Sequence, residues 1–151
     1  MPDSLPSAKK IIWPFALIAL GSLVGLGDAI YLTVQDLTGQ NLRCTIISGC
    51  AEVLGSRYAH IGSIPLATVG AAAYFGVFSL AILAIFGYSF ARPLLTILVA
   101  VMFLTTLWLL YLQAFVIRHF CQYCLLSAAV TTVLTVIIFA SGIVRRRSVG
   151  P

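Results

Sequence analysis

Four cysteines in two pairs carry the chemistry legible in this chain: Cys121-Gln122-Tyr123-Cys124 at the mouth of an apolar helix, and Cys44 and Cys50 in a polar segment. A Cys-x-x-Cys that begins a helix sets both sulfurs near a positive dipole end. There a thiolate is favoured and its pKa falls toward roughly 3.5–7.5. Bridges closing rings of four or seven residues stabilise a fold by only about 2 kcal/mol on the loop-closure model, so they are poor fasteners. They are suited to opening and re-forming, because the second thiolate stays beside the first and can resolve a mixed disulfide. A Cys-x₂-Cys can also supply half of a four-cysteine zinc site. No other ligand spacing supports that here, and no metal is expected.

The composition says where these thiols work. With 151 residues, 61% of them hydrophobic, 9% charged, and a mean hydropathy of +1.09, the chain has too little polar surface for an ordinary soluble domain. The net charge of +5 is dispersed or sits at the ends of apolar runs, so it reports topology and not nucleic-acid binding. Crossing a hydrocarbon core of about 30 Å takes about 20 apolar residues. Four segments meet that length, near 11–34, 65–87, 92–117 and 121–144, the first being a retained helix and not a signal peptide. The expected fold is an all-α, four-helix membrane bundle formed as one domain over 1–151.

Four spans put both termini on one side. Lys9, Lys10, Arg92, Arg145, Arg146 and Arg147 share that face, against Arg43, Arg57 and Arg118 on the other, so the termini are expected in the cytoplasm. The run Arg145 to Arg147 reads as a topology anchor facing anionic lipid. All four cysteines then meet on the outer, oxidising face, where disulfides persist. Because the topology rests on Lys and Arg alone, this convergence is independent support for redox chemistry there.

Ser63 is expected to cap the second helix with Pro65 in its first turn, Arg92-Pro93 to open the third, and Gly87 to end the second. Gly21-x-x-x-Gly25, Gly27 and Gly70-Ala71-Ala72-Ala73 predict close packing of the first two helices. The loop 35–64 is long enough to be functional. Within it, Cys50 to Tyr58 reads as a short half-helix lying over the bundle.

Cys121 and Cys124 share a helix face, with Cys124 about 4.5 Å deeper along the axis. The outer sulfur can exchange with a loop cysteine, while the inner one faces an apolar site at the membrane edge, where a lipid-soluble quinone is the natural acceptor. Tyr74, Trp108, Tyr111 and Tyr123 are candidates for lining a quinone pocket, and each is equally explained by packing or interfacial anchoring. Asp28 is costly if it faces lipid. It is a candidate for proton delivery, or it meets polar groups near the helix end. Arg118 and His119 read as a solvated turn, outside the catalytic set.

These residues together carry a resemblance. Cys44-x₅-Cys50, Ser56, the run from Ile64 to Gly70 followed by Tyr74, and Phe120-Cys121-Gln122-Tyr123-Cys124-Leu125-Leu126-Ser127 resemble the vitamin K epoxide reductase family. Gly27-Asp28-Ala29-Ile30-Tyr31-Leu32-Thr33 resembles its bacterial branch. The resemblance implies a thiol oxidoreductase in which a separate thioredoxin-like or DsbA-like partner is oxidised at Cys44. Cys50 would then exchange with Cys121, and Cys124 would deliver electrons to a quinone of the ubiquinone, menaquinone or vitamin K type. Ser56 is implied near the relay, and Ser127, which closes the Cys-x-x-Cys motif, joins the candidate quinone-binding set.

Mammalian members place a Tyr where this chain has Ala128 and an Asn where it has Leu66, and those side chains hold the vitamin K head group. Epoxide reduction is therefore not expected, whereas quinone reduction is. The setting implied is a bacterial cytoplasmic membrane, with disulfide formation outside the cytoplasm as the purpose. A DsbB-type oxidase would place its Cys-x-x-Cys near the first pair of helices, whereas here it opens the last. A vitamin K epoxide reductase proper and a disulfide-stapled, non-enzymatic membrane subunit are the alternatives kept beside quinone reduction.

Overall fold

The computed structural model describes residues 5–39, 44, 46 and 49–148, with side chains of 5–8 and 143–148 left aside. Arg43 and the side chains of Arg145, Arg146 and Arg147, which entered the charge argument, lie outside what is described. Five α-helices occur among the described residues: α1 Leu5–Leu37, α2 Cys50–Leu54, α3 Leu66–Ile85, α4 Ala91–Tyr111 and α5 Gln122–Ser148. Four stretches are long and apolar enough to cross a membrane: Lys9–Leu37, Leu66–Ile85, Ala91–Ile117 and Gln122–Gly142. The expected four-helix membrane bundle is the fold of this chain.

The helices close a ring in which α1 packs on α3 and α5, and α4 packs on α3 and α5. The core between them holds Ile18, Ala19 and Ala29 of α1, Tyr74, Val77 and Ala81 of α3, Leu95 and Val99 of α4, and Leu134 of α5. Large apolar residues such as Leu20, Phe75, Leu104 and Phe139 point outward. That inside-out distribution suits a lipid surround. Many Ser and Thr hydroxyls in the spans are satisfied within their own helix, as when Thr33 donates to Ala29 O at 2.8 Å and Thr135 to Thr131 O at 2.8 Å.

Small residues do bring α1 and α3 together. Gly25 is buried so closely on Tyr74 that an added Cβ would collide with the phenol ring, and Gly70 faces the Ala29 methyl. Gly27, by contrast, meets open space, so it takes no part in this contact. Tyr74 uses the room to place its hydroxyl 2.8 Å from Ser127 Oγ and 2.9 Å from Thr131 Oγ1, tying α3 to α5.

The loop between the first two spans differs from expectation in detail. The half-helix stops at Leu54, because Gly55 takes over the C-cap and Ser56 turns extended before a 3₁₀ turn at Arg57–Ala59. A two-stranded hairpin then follows, β1 His60–Ile61 paired antiparallel with β2 Ile64–Pro65. Gly62, at φ +66°, supplies the positive dihedral that such a two-residue turn requires. The hairpin hands the chain to α3 with Pro65 at the N-cap and no side-chain cap, so Ser63 sits in the hairpin turn and does not cap. His60 Nε2 lies 3.1 Å from Asp36 Oδ2, which pins the hairpin to the end of α1. Gly87, at φ +92°, lies just past the end of α3, as its position suggested.

The third span does not end as a regular helix. Leu112–Ile117 winds as a π-helical segment, and Arg118 stops it in the left-handed region at φ 59°, ψ 27°. Nothing in the apolar pattern signals this change of pitch, because every face of the segment is hydrophobic except Gln113. Such bulges recur at functional sites.

Candidate functional site

The π segment and the turn after it set the Cys-x-x-Cys. Helix α5 starts at Gln122, so Cys121 stands just before its first turn, and the Cys121 carbonyl accepts from Leu125 N at 3.0 Å. Backbone N–H groups of Tyr123 and Cys124 donate to the Cys121 sulfur, as does the Cys124 thiol. The Cys124 donation is the largest influence. Together with the backbone donors, and against the cost of burial, it draws the Cys121 thiol down to about 7. From α4, Gln113 turns its buried amide inward to accept from Cys121 N at 3.4 Å. The change of helical pitch explains why the sequence did not single out Gln113: only the π turn aims it at the cysteines.

The thiolate is the attacking species, so the rate of Cys121 alkylation in the reduced chain is expected to rise along a curve centred near pH 7. Below that pH the sulfur is protonated and slow. At pH 7 it is about half ionised, where a thiol of ordinary pKa near 8.5 is only about 3% ionised. Mass-spectrometric alkylation rates across pH measure the midpoint. A midpoint at the ordinary value would remove the proposed donors.

Cys44 and Cys50 are joined as a disulfide, while Cys121 and Cys124 are free thiols. The two pairs are packed together. Cys50, Val53 and Cys121 form one buried cluster, with Cys44, Cys124, Ile117 and Tyr123 against it. Two contacts hold the loop there. Gln122 Oε1 accepts from Ile46 N at 3.1 Å, and Gly49 lies so close to the turn before Cys121 that a Cβ would stand 2.6 Å from Phe120 O. Gly49 needs no unusual backbone dihedral, at φ −95°, so its smallness serves this approach alone.

Beneath the cysteine cluster is a largely apolar cavity of about 380 Å³ lined by all four long helices and the loop between the first two spans. Of the four cysteines only Cys124 lines it. Ser56, Tyr74 and Ser127 also line it, together with Gln113, Asp28, and Leu66 and Ala128. Ser56 reaches this wall from the end of α2, its hydroxyl donating to Val53 O at 2.7 Å.

The other aromatic candidates lie elsewhere. Trp108 and Tyr111 are exposed, their rings stacked at 6.0 Å, and Phe115 continues the row at 5.0 Å from Tyr111. They form an outward stripe on α4 of the kind that anchors proteins at membrane interfaces. Tyr123 leans on Tyr31 at 5.3 Å between centroids, outside the cavity lining. Of the four aromatic candidates the cavity wall takes Tyr74, and the packing or anchoring reading offered for each describes Trp108, Tyr111 and Tyr123. The cause is helix rotation: with apolar residues on every face of α4, its periodicity does not say which side turns inward. Arg118 and His119 are exposed, in keeping with a solvated turn.

A family model described as the vitamin K epoxide reductase family matches residues 16–139. The chain belongs to that family. The match runs from the first span through the last and takes in both cysteine pairs. Membership makes this a multi-pass membrane oxidoreductase of the disulfide- and quinone-linked kind. Among the described residues no group of three or more His, Cys, Asp or Glu side chains is placed to hold a metal ion.

Proposed function

We propose that this vitamin K epoxide reductase family member passes electrons from a thioredoxin-like or DsbA-like partner, through Cys44 and Cys50 and then Cys121 and Cys124, to a membrane quinone. The observation that carries this reading is the division among the cysteines. Cys124 faces the cavity, whereas Cys121 is buried against Cys50 and takes no part in the cavity wall. A partner dithiol reduces the loop disulfide at Cys44, the half-exposed sulfur. Cys50, released as a thiolate, attacks the oxidised Cys121–Cys124 pair at Cys121, and Cys124 leaves as the thiolate that meets the quinone. Cys44, freed when the partner closes its own disulfide, attacks Cys50 and releases Cys121, and the two protons given up by the partner dithiol pass to Cys121 and Cys124. As these two thiols re-form their disulfide, two electrons and two protons pass to the quinone and make the quinol.

The cavity suits a quinone better than an epoxide. Leu66 and Ala128 stand on its wall without a hydrogen-bond donor, where the family's epoxide-reducing members carry Asn and Tyr. Ser56 and Gln113 position the relay through the backbone of α2 and the nitrogen of Cys121. The chain reads as one domain in a bacterial cytoplasmic membrane, termini inside and cysteines outside, serving disulfide formation beyond the cytoplasm. The test is direct: the purified protein, given dithiothreitol and a short-chain ubiquinone analogue, is expected to bleach the quinone absorbance catalytically. A rate no faster than that of dithiothreitol alone would sink the proposal.

A further inference from the structure

Asp28 is a carboxyl group placed in the third turn from the loop end of a membrane-crossing helix, and it is nine-tenths buried. Its Oδ2 is the buried side-chain oxygen or nitrogen that finds no hydrogen-bond partner among the described residues. The ion pair present there, Asp36 with His60, lies two turns further out on α1 and leaves Asp28 alone. An unpaired acid at membrane depth is expensive and is retained for function. Asp28 lines the same cavity as Cys124.

The polar groups on the wall nearest the cysteines and the small residues of α5 are already engaged. The Tyr74 hydroxyl is shared between Ser127 and Thr131, Ser56 donates to Val53 O, and Gln113 serves Cys121 N. Leu66 and Ala128 offer nothing. Among the described residues, Asp28 Oδ2 is thus the fully buried side-chain oxygen on this wall with unspent hydrogen-bonding capacity, and the cavity's proposed occupant has carbonyl oxygens that need a donor.

We infer that Asp28 is a catalytic residue that donates its carboxyl proton to one carbonyl oxygen of the quinone as electrons arrive from Cys124. The inference rests on the quinone reading above and deepens it. The balance closes within the site. Forming the Cys121–Cys124 bond releases two electrons and two protons, and the quinone takes up both electrons and two protons as its two carbonyls become hydroxyls. One proton reaches the first oxygen from Asp28, whose carboxylate is refilled by one thiol proton. The other thiol proton goes to the second oxygen. Asp28 thus returns to its starting state with no outside oxidant or reductant beyond the dithiol and the quinone.

The experiment uses the full chain, dithiothreitol and the short-chain ubiquinone analogue. Asp28→Asn keeps the shape and a hydrogen-bond donor but cannot give up a proton in turnover. It is expected to lower kcat about 10²-fold, the lower end of what a positioned proton donor contributes, with KM for the analogue little changed. Asp28→Glu, which restores the carboxyl one methylene further out, is expected to regain part of the rate. Wild-type activity together with an unchanged kcat in Asp28→Asn overturns the inference and leaves quinone reduction standing, as does a change confined to KM. A wild-type chain that does not reduce the analogue overturns the quinone reading first and this inference with it. A readout independent of any variant is the infrared difference spectrum of the wild-type chain on binding the analogue. A shift of a carboxylic-acid C=O stretch is expected, and its absence overturns the assignment.

Discussion

Cys124→Ala is expected to bring quinone reduction down to the uncatalysed background while the bundle and the Cys44–Cys50 disulfide persist. Cys124 is the one cysteine on the cavity wall, so no other thiol can take its place without moving the start of α5. The loss is local. Truncating one sulfur at a half-buried position costs at most about 1 kcal/mol, within the common range for point substitutions. The same substitution removes the thiol that donates to Cys121, so the pH midpoint of Cys121 alkylation is expected to rise from about 7 toward the ordinary thiol value. Stopped-flow quinone absorbance reads the first effect and alkylation kinetics the second. A chain that kept its rate without Cys124 would remove this residue as the electron donor.

Separating the cysteine pairs by steric means is expected to slow their exchange by about 10²-fold, the usual cost of misplacing reacting groups by about 1 Å. Gly49 provides the means. Any side chain there must displace backbone atoms of Phe120, 2.6 and 2.9 Å from a new Cβ, or the His119 Cβ at 2.9 Å. Backbone cannot yield as a flexible side chain does, so the loop carrying Cys50 moves off Cys121. In a Cys44→Ala Cys124→Ala chain, Cys50 and Cys121 are expected to cross-link under mild oxidation, because they share one buried cluster. Adding Gly49→Val is expected to slow that cross-linking, as followed by mass spectrometry of the joined peptides. Equal rates in the two backgrounds would show that the close approach at Gly49 plays no part in the relay.

The parts of this protein that were legible in its sequence are those set by local rules. Span length and hydropathy gave four crossing helices because a helix in lipid satisfies its backbone within itself and needs only enough apolar length. The Cys-x-x-Cys at a helix start foretold a thiolate-favouring position, since backbone donors at a helix N-terminus follow from helix geometry whatever surrounds it. Gly25 foretold a tight contact, though not that Tyr74 would fill it.

What lay hidden depends on helix rotation and on contacts across long separations. Trp108 and Tyr111 turned outward and Tyr74 inward, and an all-apolar helix carries no periodic signal to separate those cases. Gln113 entered the site through a π turn that no residue pattern announced. The hairpin at residues 60–65 was missed because two-residue strands are too short to show alternation.

The sequence by itself determined that reactive thiols sit on a four-helix membrane protein, and in which order along the chain, because composition, length and Cys spacing are local quantities. Only the tertiary structure decided that Cys50 meets Cys121 while Cys124 alone faces a cavity, and that the orphan oxygen of Asp28 is buried on the same cavity wall. Those facts arise where α1, α4, α5 and the loop converge, and which faces converge is settled by packing between residues as far apart as Asp28 and Cys124.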